Sequence, residues 1–354
     1  MNITLPRADL ARLLASTVRV VESRNTIPIL SMVRIVADGG KLAITATDLD
    51  IEVRAAIDAD ADADGAVCVS ASMLDGIVKK LPPNNDVTLT ADGQTLTVKS
   101  GRSKFTLQTL PVADFPSFTA GKYTTEFEAD PAALMAPCAF AISTEETRFY
   151  LNGVYLHTKG GNLAAVATDG HRLARHIADY EVPDFKGIII PRKLVGLVPK
   201  GDLAVSLSDT KIRLVAGDTT ITSKLIDGTF PDYERIIPTG NDKTIVFDAT
   251  AMRIAAERVS VVSSERVRAV KLSFASGSAS LAVRNDGEEA TDELAVTYDG
   301  EPIEIGFNSA YLGELIANFP AGEITLALAD AASPSIFTAK SAPGLMAILM
   351  PMRV

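Results

Sequence analysis

Leu163-Ala-Ala-Val-Ala-Thr-Asp169 returns almost unchanged as Leu42-Ala-Ile-Thr-Ala-Thr-Asp48, and more loosely as Leu281-Ala-Val-Arg-Asn-Asp286. Each stretch reads as strand and closes on a turn-forming acid. Around each, one design recurs. Helix-spaced apolar stripes end on a proline three times, at Leu81-Pro82, Val198-Pro199 and Phe319-Pro320. The first stripe is Leu74, Ile77, Val78 and Leu81. The second is Leu194, Leu197 and Val198. The third is Leu312, Leu315, Ile316 and Phe319. Spacings of three and four put each set on one helix face, and proline cannot continue the helix.

Alternating segments follow each stripe: Val87-Thr-Leu-Thr90 with Thr95-Leu-Thr-Val98, then Val205-Ser-Leu207, then Ile324-Thr-Leu-Ala327. Two copies close alike, on Leu110-Pro-Val-Ala-Asp-Phe115-Pro116 and Leu225-Ile-Asp-Gly-Thr-Phe230-Pro231. The front halves repeat too. Leu10, Leu13, Leu14, Thr17, Val18 and Val21 form a helical stripe after Pro6, a second helix follows Pro131, and a third begins near Thr250. Each unit is therefore helix, strands, helix, strands over roughly 115 residues, too long for a solenoid repeat. The predicted helices are 7–21, 72–80, 131–142, 191–200, 250–262 and 309–318. Turn formers at Ala120-Gly121-Lys122 and Thr239-Gly240-Asn241 set the domains at 1–122, 123–242 and 243–354. The fold class is α+β. Three such domains in a row form an arc, and two arcs closing on each other form a six-domain ring.

Composition excludes several classes. At 47% hydrophobic and 22% charged the chain is globular. No apolar run is long enough to span a bilayer, and the N-terminal residues lack the layout of a secretory signal. Cys68 and Cys138 stand far apart, as reduced thiols of a cytoplasmic protein. The net charge of -10 argues against nucleic acid until its distribution is read. The six predicted helices hold ten basic residues (Arg7, Arg12, Arg19, Lys79, Lys80, Arg192, Lys193, Lys200, Arg253, Arg258) against four acidic ones (Asp9, Asp75, Glu257, Glu314). They carry +6 and leave -16 to the strands and loops. A helix-lined surface of this kind attracts phosphates without reading bases.

Val166-Ala-Thr-Asp-Gly-His-Arg-Leu173, Tyr150-Leu-Asn-Gly153, Ser223-Lys-Leu-Ile-Asp-Gly-Thr-Phe-Pro-Asp-Tyr233 and Met350-Pro-Met-Arg-Val354 together resemble the beta-subunit family of bacterial DNA polymerase III, the beta sliding clamps. Asn25-Thr-Ile-Pro-Ile-Leu30 and Ser100-Gly-Arg-Ser-Lys-Phe-Thr-Leu107 fit the same family, so the resemblance spans the chain. It implies a head-to-tail homodimeric ring with helices inside and antiparallel sheets outside. It also implies a non-catalytic processivity role on double-stranded DNA, with no cofactor and no metal. The implied partners are the polymerase III catalytic subunit, the clamp loader, and other polymerases and repair proteins that carry short clamp-binding motifs.

Residue by residue, the resemblance assigns a peptide pocket to Leu151, Thr168, Gly170, His171, Arg172, Leu173, Pro231, Arg235, Ile236, Val267, Asn308, Tyr311, Met350, Pro351, Met352 and Arg353. The apolar members suit a Leu or Phe anchor, methionine adapts to many ligands, and Arg172, Arg235, Asn308 and Arg353 can bond an extended backbone. For DNA, the matching residue is Arg24, with Arg7, Lys79, Lys80, Arg192, Lys193 and Lys200 as lining candidates. Glu145 stands where the family pattern has an uncharged DNA-facing residue, and Val354 where it has leucine. For ring closure, Arg102, Lys104 and Leu107 on an edge strand face apolar Val261 and Val262 and acidic Glu288, Glu289, Asp292 and Glu293.

An enzyme is disfavoured by the residues themselves. There is no phosphate loop ending in Lys-Ser/Thr and no Gly-x-Ser-x-Gly elbow, and His157, His171 and His176 lack the spacing of a metal triad. A peptide-binding adaptor that never touches DNA is the other reading, and the basic helices oppose it.

Overall fold

The computed structural model describes residues 1–59, 61–118, 121–263 and 269–354. Its α-helices are α1 Arg7–Thr17, α2 Ala71–Lys80, α3 Pro131–Met135, α4 Arg192–Val195, α5 Ala249–Val259 and α6 Ser309–Ala317. Four predicted helices are cut short; the one predicted over 250–262 ends at Val259 and goes on as a 3-10 turn, Ser260–Val262. The helix predicted over 7–21 tightens at Thr17 into a 3-10 turn, Val18–Val20. That shift of period buries Val20 and leaves Val18 and Val21 half-buried. The helix predicted over 131–142 becomes a 3-10 helix, Ala136–Ala141, because Pro137 lacks the amide an α-helix needs. The helix predicted over 191–200 is one turn, stopped by Gly196 before Pro199 is reached, which leaves Lys200 beyond it.

Strand ends supply the helix caps. Ser70 accepts from Met73 N ahead of α2, Asp248 from Ala251 N ahead of α5, and Asn308 from Ala310 N and Tyr311 N ahead of α6. Such caps satisfy amides that the first helical turn leaves free.

The chain packs as two compact units, Met1–Pro131 with Gly196–Leu225, and Ala132–Val195 with Ile226–Val354. The division runs through the second repeat, because strands of that repeat extend sheets begun elsewhere. In the first unit, Thr219–Lys224 pairs antiparallel with Ile51–Asp58, from Thr219 opposite Ala55 to Ser223 opposite Ile51. In the second unit, Arg172–Glu181 pairs with Ala342–Leu349, Arg172 opposite Leu349. Through such pairings the first unit holds a 13-stranded sheet and the second an 8-stranded and a 4-stranded sheet.

Helices cover the sheets. Leu10, Leu13 and Leu14 of α1 and Leu74 and Val78 of α2 are buried in the first unit. Arg7 joins the two helices, Nε donating to Val78 O at 2.8 Å and Nη2 to Lys79 O at 2.9 Å. In the second unit, Met252 and Val259 of α5 and Leu312, Leu315 and Ile316 of α6 share a core with Phe274, Phe307 and Phe337. Burial pushes the thiols up, Cys68 to about 11 and Cys138 to about 12, so neither is a thiolate at neutral pH. Among the described residues no helix is long and apolar enough to cross a membrane.

Phe337 is fully buried with its ring edge-on to Phe307, whereas Arg12 meets Asp218 at 3.1 Å on the exposed surface. Phe337→Ala will cost about 3–5 kcal/mol and Arg12→Ala less than about 1 kcal/mol, read from urea unfolding midpoints.

Candidate functional site

The turn between the strands Asn162–Thr168 and Arg172–Glu181 is Asp169-Gly170-His171. Asp169 Oδ1 accepts from His171 N at 2.9 Å and Arg172 N at 3.0 Å, so its carboxylate closes the turn. Thr168 Oγ1 accepts from Gly170 N at 3.1 Å and donates to Arg172 O at 2.8 Å. Gly170 has φ +91°, and a Cβ there would lie 2.8 Å from Arg148 Nη1. The backbone conformation and the space both call for glycine.

Arg172 is only 9% exposed. A guanidinium this buried needs partners. Nε donates to Asp169 Oδ2 at 3.0 Å and Nη1 to Glu314 Oε2 at 2.6 Å. Its carbon lies 4.3 Å from the Tyr311 ring centroid and 5.2 Å from that of Phe140. Arg172 therefore fixes the Asp169 turn against α6. The Oδ1 of Asn308 is likewise engaged, as the cap of α6.

The C-terminal residues reach the same place. Met350 N donates to His171 O at 2.9 Å, and Met352 N to Gly306 O at 2.7 Å. A Cβ on Gly306 would collide with the Val354 side chain and with Met352 O, so only glycine lets the tail lie there. The His171 and Tyr311 rings are 6.2 Å apart. Met350, Met352, Arg353 and Val354 are exposed and Pro351 is half-buried.

Leu151 and Leu173 belong to a buried cluster with Phe230, Tyr233, Met346 and Ile348. From it the segment Phe230–Ile236 emerges with Pro231, Arg235 and Ile236 exposed, Arg235 Nε meeting Asp232 Oδ2 at 2.8 Å. Leu173, next to the Asp169–Arg172 turn, thus shares a buried cluster with Phe230 and Tyr233 at the base of this segment. Val267 lies outside the described residues. Sequence reasoning missed the support beneath the patch, Tyr233, Met346 and Ile348. The unbroken apolar run Leu345–Leu349 was the available signal.

The assigned DNA-lining residues are more varied. Arg24, Lys80, Arg192 and Lys200 are exposed, and Lys193 is half-buried. Lys79 is paired with Asp75 at 2.6 Å, and Arg7 is turned onto α2. Arg253 pairs with Glu257 and Arg258 with Asp292, so α5 shows less positive charge than counting suggests. Arg148 donates to both oxygens of Glu145, at 2.8 and 2.7 Å, and holds that carboxyl below the usual range.

Two of the strands with unpaired edge positions carry the residues assigned to ring closure. Ser103–Leu110 pairs along its length with Thr95–Ser100, but with Gly65–Ser70 only at Leu110 and Thr109. Arg102 and Lys104 are exposed at its start. Leu107 is 8% exposed, and Phe105, one pleat earlier on the same face, is 38% exposed. Glu288–Ala295 is the edge of the 4-stranded sheet. There Glu288, Glu289 and Glu293 are exposed and Asp292 is half-buried, while Val261 is 82% exposed and Val262 half-buried.

Three non-overlapping family matches span most of the chain. They are the DNA polymerase III beta subunit N-terminal domain over residues 1–119, its central domain over 131–232 and its C-terminal domain over 234–353. Over the full length of both chains, the sequence is 41% identical to the beta sliding clamp of Caulobacter vibrioides and 32% identical to that of Escherichia coli. The sliding clamp of Bartonella birtlesii bound to griselimycin superposes with a TM-score of 0.96 at 41% identity, covering 100% of both chains. The Caulobacter crescentus clamp, with polyethylene glycol at what is described for it as a candidate beta-motif tethering region, superposes at 0.94 with 40% identity, covering 100% of this chain and 99% of that one. Three matched α+β domains in one chain define a clamp-type replication accessory protein. This chain belongs to the beta-subunit family of DNA polymerase III, the beta sliding clamps. It is a non-catalytic factor that confers processivity on that polymerase.

Gly306→Ala will displace the tail. Amide exchange at Met352 will quicken at least about tenfold, measured by hydrogen–deuterium exchange, with little change in melting.

Proposed function

We propose that two copies of this chain close head to tail into a ring around duplex DNA and hold the polymerase through the patch built on the Asp169–Arg172 turn. Six domains, 1–122, 123–242 and 243–354 in each copy, make the ring. The observation that carries closure is the pair of open strand edges of opposite charge in one chain. Ser103–Leu110 presents Arg102, Lys104 and Phe105, and Glu288–Ala295 presents Glu288, Glu289 and Glu293 beside the exposed Val261. An open edge invites a partner strand, and charges at its rim set register. Because the two edges differ, each interface is heterologous, and a two-fold repeat of it closes a ring.

Arg24, Lys80, Arg192 and Lys200, with Arg7, Lys79 and Lys193 near them, meet the DNA phosphates through screened contacts that permit sliding. The peptide patch takes an apolar anchor among Ile236, Met350 and Met352, with Arg235 and Arg353 at its margin. Its partners are the polymerase III catalytic subunit, the clamp loader, and other polymerases and repair proteins with short clamp-binding motifs, all cytoplasmic. The ligands named for the Bartonella and Caulobacter structures support a small-ligand surface on this family.

Loaded by a clamp loader with ATP onto nicked circular plasmid, the protein will co-elute with the circle and be lost on linearisation. Equal retention on both forms would overturn topological binding. Arg102→Glu with Lys104→Glu will weaken the dimer at least about tenfold in analytical ultracentrifugation. An unchanged dimer would remove this pair of edges from the interface.

A further inference from the structure

Phe230 and Tyr233 are buried, while Pro231, Arg235 and Ile236 beside them are exposed. The segment is thus held from below by two aromatic side chains three residues apart, across the start of a 3-10 turn, Tyr233–Ile236. What holds them is a stack on the strand Gly153–Lys159. Tyr155 lies parallel to Phe230 with ring centroids 4.8 Å apart, and on the same strand His157 stacks with Tyr155 at 4.9 Å. Gly187 leaves the room, because a Cβ there would collide with the Tyr155 ring. His157 Nε2 is 3.0 Å from Tyr233 Oη.

The hydrogen bonds fix the protonation pattern. His157 Nδ1 lies 2.8 Å from Thr158 O, and a carbonyl only accepts, so Nδ1 carries hydrogen. In the neutral ring Nε2 is then a bare acceptor, and the Tyr233 hydroxyl donates to it. Burial first, then the Glu234 carboxylate, pushes the Tyr233 hydroxyl up to about 12, so it keeps its proton. We infer that His157 is a positioning residue of the peptide pocket, holding through Tyr233 the segment that presents Pro231, Arg235 and Ile236, and that its protonation loosens that segment. This rests on the peptide-binding reading above.

When Nε2 gains a proton, two donors face each other across the same 3.0 Å. The hydroxyl has to turn away, toward Glu234 Oε1 at 3.4 Å, and the tie is redrawn. The surrounding charges are mixed. Lys159 and Arg175 oppose a cation at His157, and Glu234, itself paired with Lys159, favours one. Asp184 accepts from Thr158 Oγ1 nearby. Burial is the largest effect and pushes His157 below the usual histidine range. The donating arrangement is therefore fully present above that range and lost as pH falls below it.

The test is the affinity of a fluorescein-labelled synthetic peptide with an apolar clamp-binding motif, measured by anisotropy from about pH 8 to pH 5 on the full chain. Wild-type affinity will fall about five- to tenfold toward pH 5. Tyr233→Phe, which keeps the ring and its packing, will bind weakly already at pH 8 and fall less. His157→Gln offers a donor and an acceptor at every pH, and will hold near wild-type affinity with a flatter profile. His171 and His176 are common to all three proteins and cancel in the comparison. Thermal melts exclude misfolding. A Tyr233→Phe protein that melts normally and matches wild type at every pH would overturn the inference. Wild type that binds no peptide at any pH would overturn the pocket itself, a separate result.

Discussion

A strand at the edge of a sheet shows a row of amides and carbonyls that need partners, and the order of this molecule follows from how those rows are filled. The second repeat shares sheets with both of its neighbours. Thr219–Lys224, from the second repeat, covers the edge of Ile51–Asp58, from the first. Ala342–Leu349, from the third, covers the edge of Arg172–Glu181, from the second. Consecutive repeats are thereby joined by backbone hydrogen bonds as well as by their connecting segments. Among the described residues, Ser103–Leu110 is left unpaired over most of one side, and Glu288–Ala295 ends the 4-stranded sheet.

The same joint explains the peptide patch. Pairing Arg172 opposite Leu349 brings His171 to Met350, and so draws the C-terminal residues to a turn in the middle of the sequence. Arg172 then ties that turn to α6 through Glu314 and Tyr311. Much of the patch is thus held by groups that do not face a ligand. Buried donors and acceptors such as those of Thr168 and Arg172 fix its shape, and the exposed Ile236, Met350 and Met352 offer adaptable apolar surface above them. A rigid base under a soft surface suits a site that serves several partners in turn.

Positive charge in the helices is partly committed to structure. Arg7 braces α2, Lys79 answers Asp75, and Arg253 answers Glu257. These pairings leave a field that is basic in places and weak.

Much of the architecture was legible in the sequence, because it follows from local rules. The three prolines that end apolar stripes, the alternating segments and the threefold recurrence of Leu-Ala before a turn acid gave repeated α+β units, and they are short-range signals of period and punctuation. Local rules also shortened helices, through Pro137 and Gly196, where the eye followed the stripe too far. The candidate site divides differently. Its residues were named by resemblance, but no spacing reveals that Arg172 gives a donor to Glu314, that Gly306 makes room for Val354, or that Tyr155 and His157 hold the Phe230–Ile236 segment. Those contacts join residues tens to more than a hundred positions apart. They exist only once strand pairing has fixed which edges meet, so the sequence settled the elements and the repeat, and the tertiary structure decided which side chains became partners.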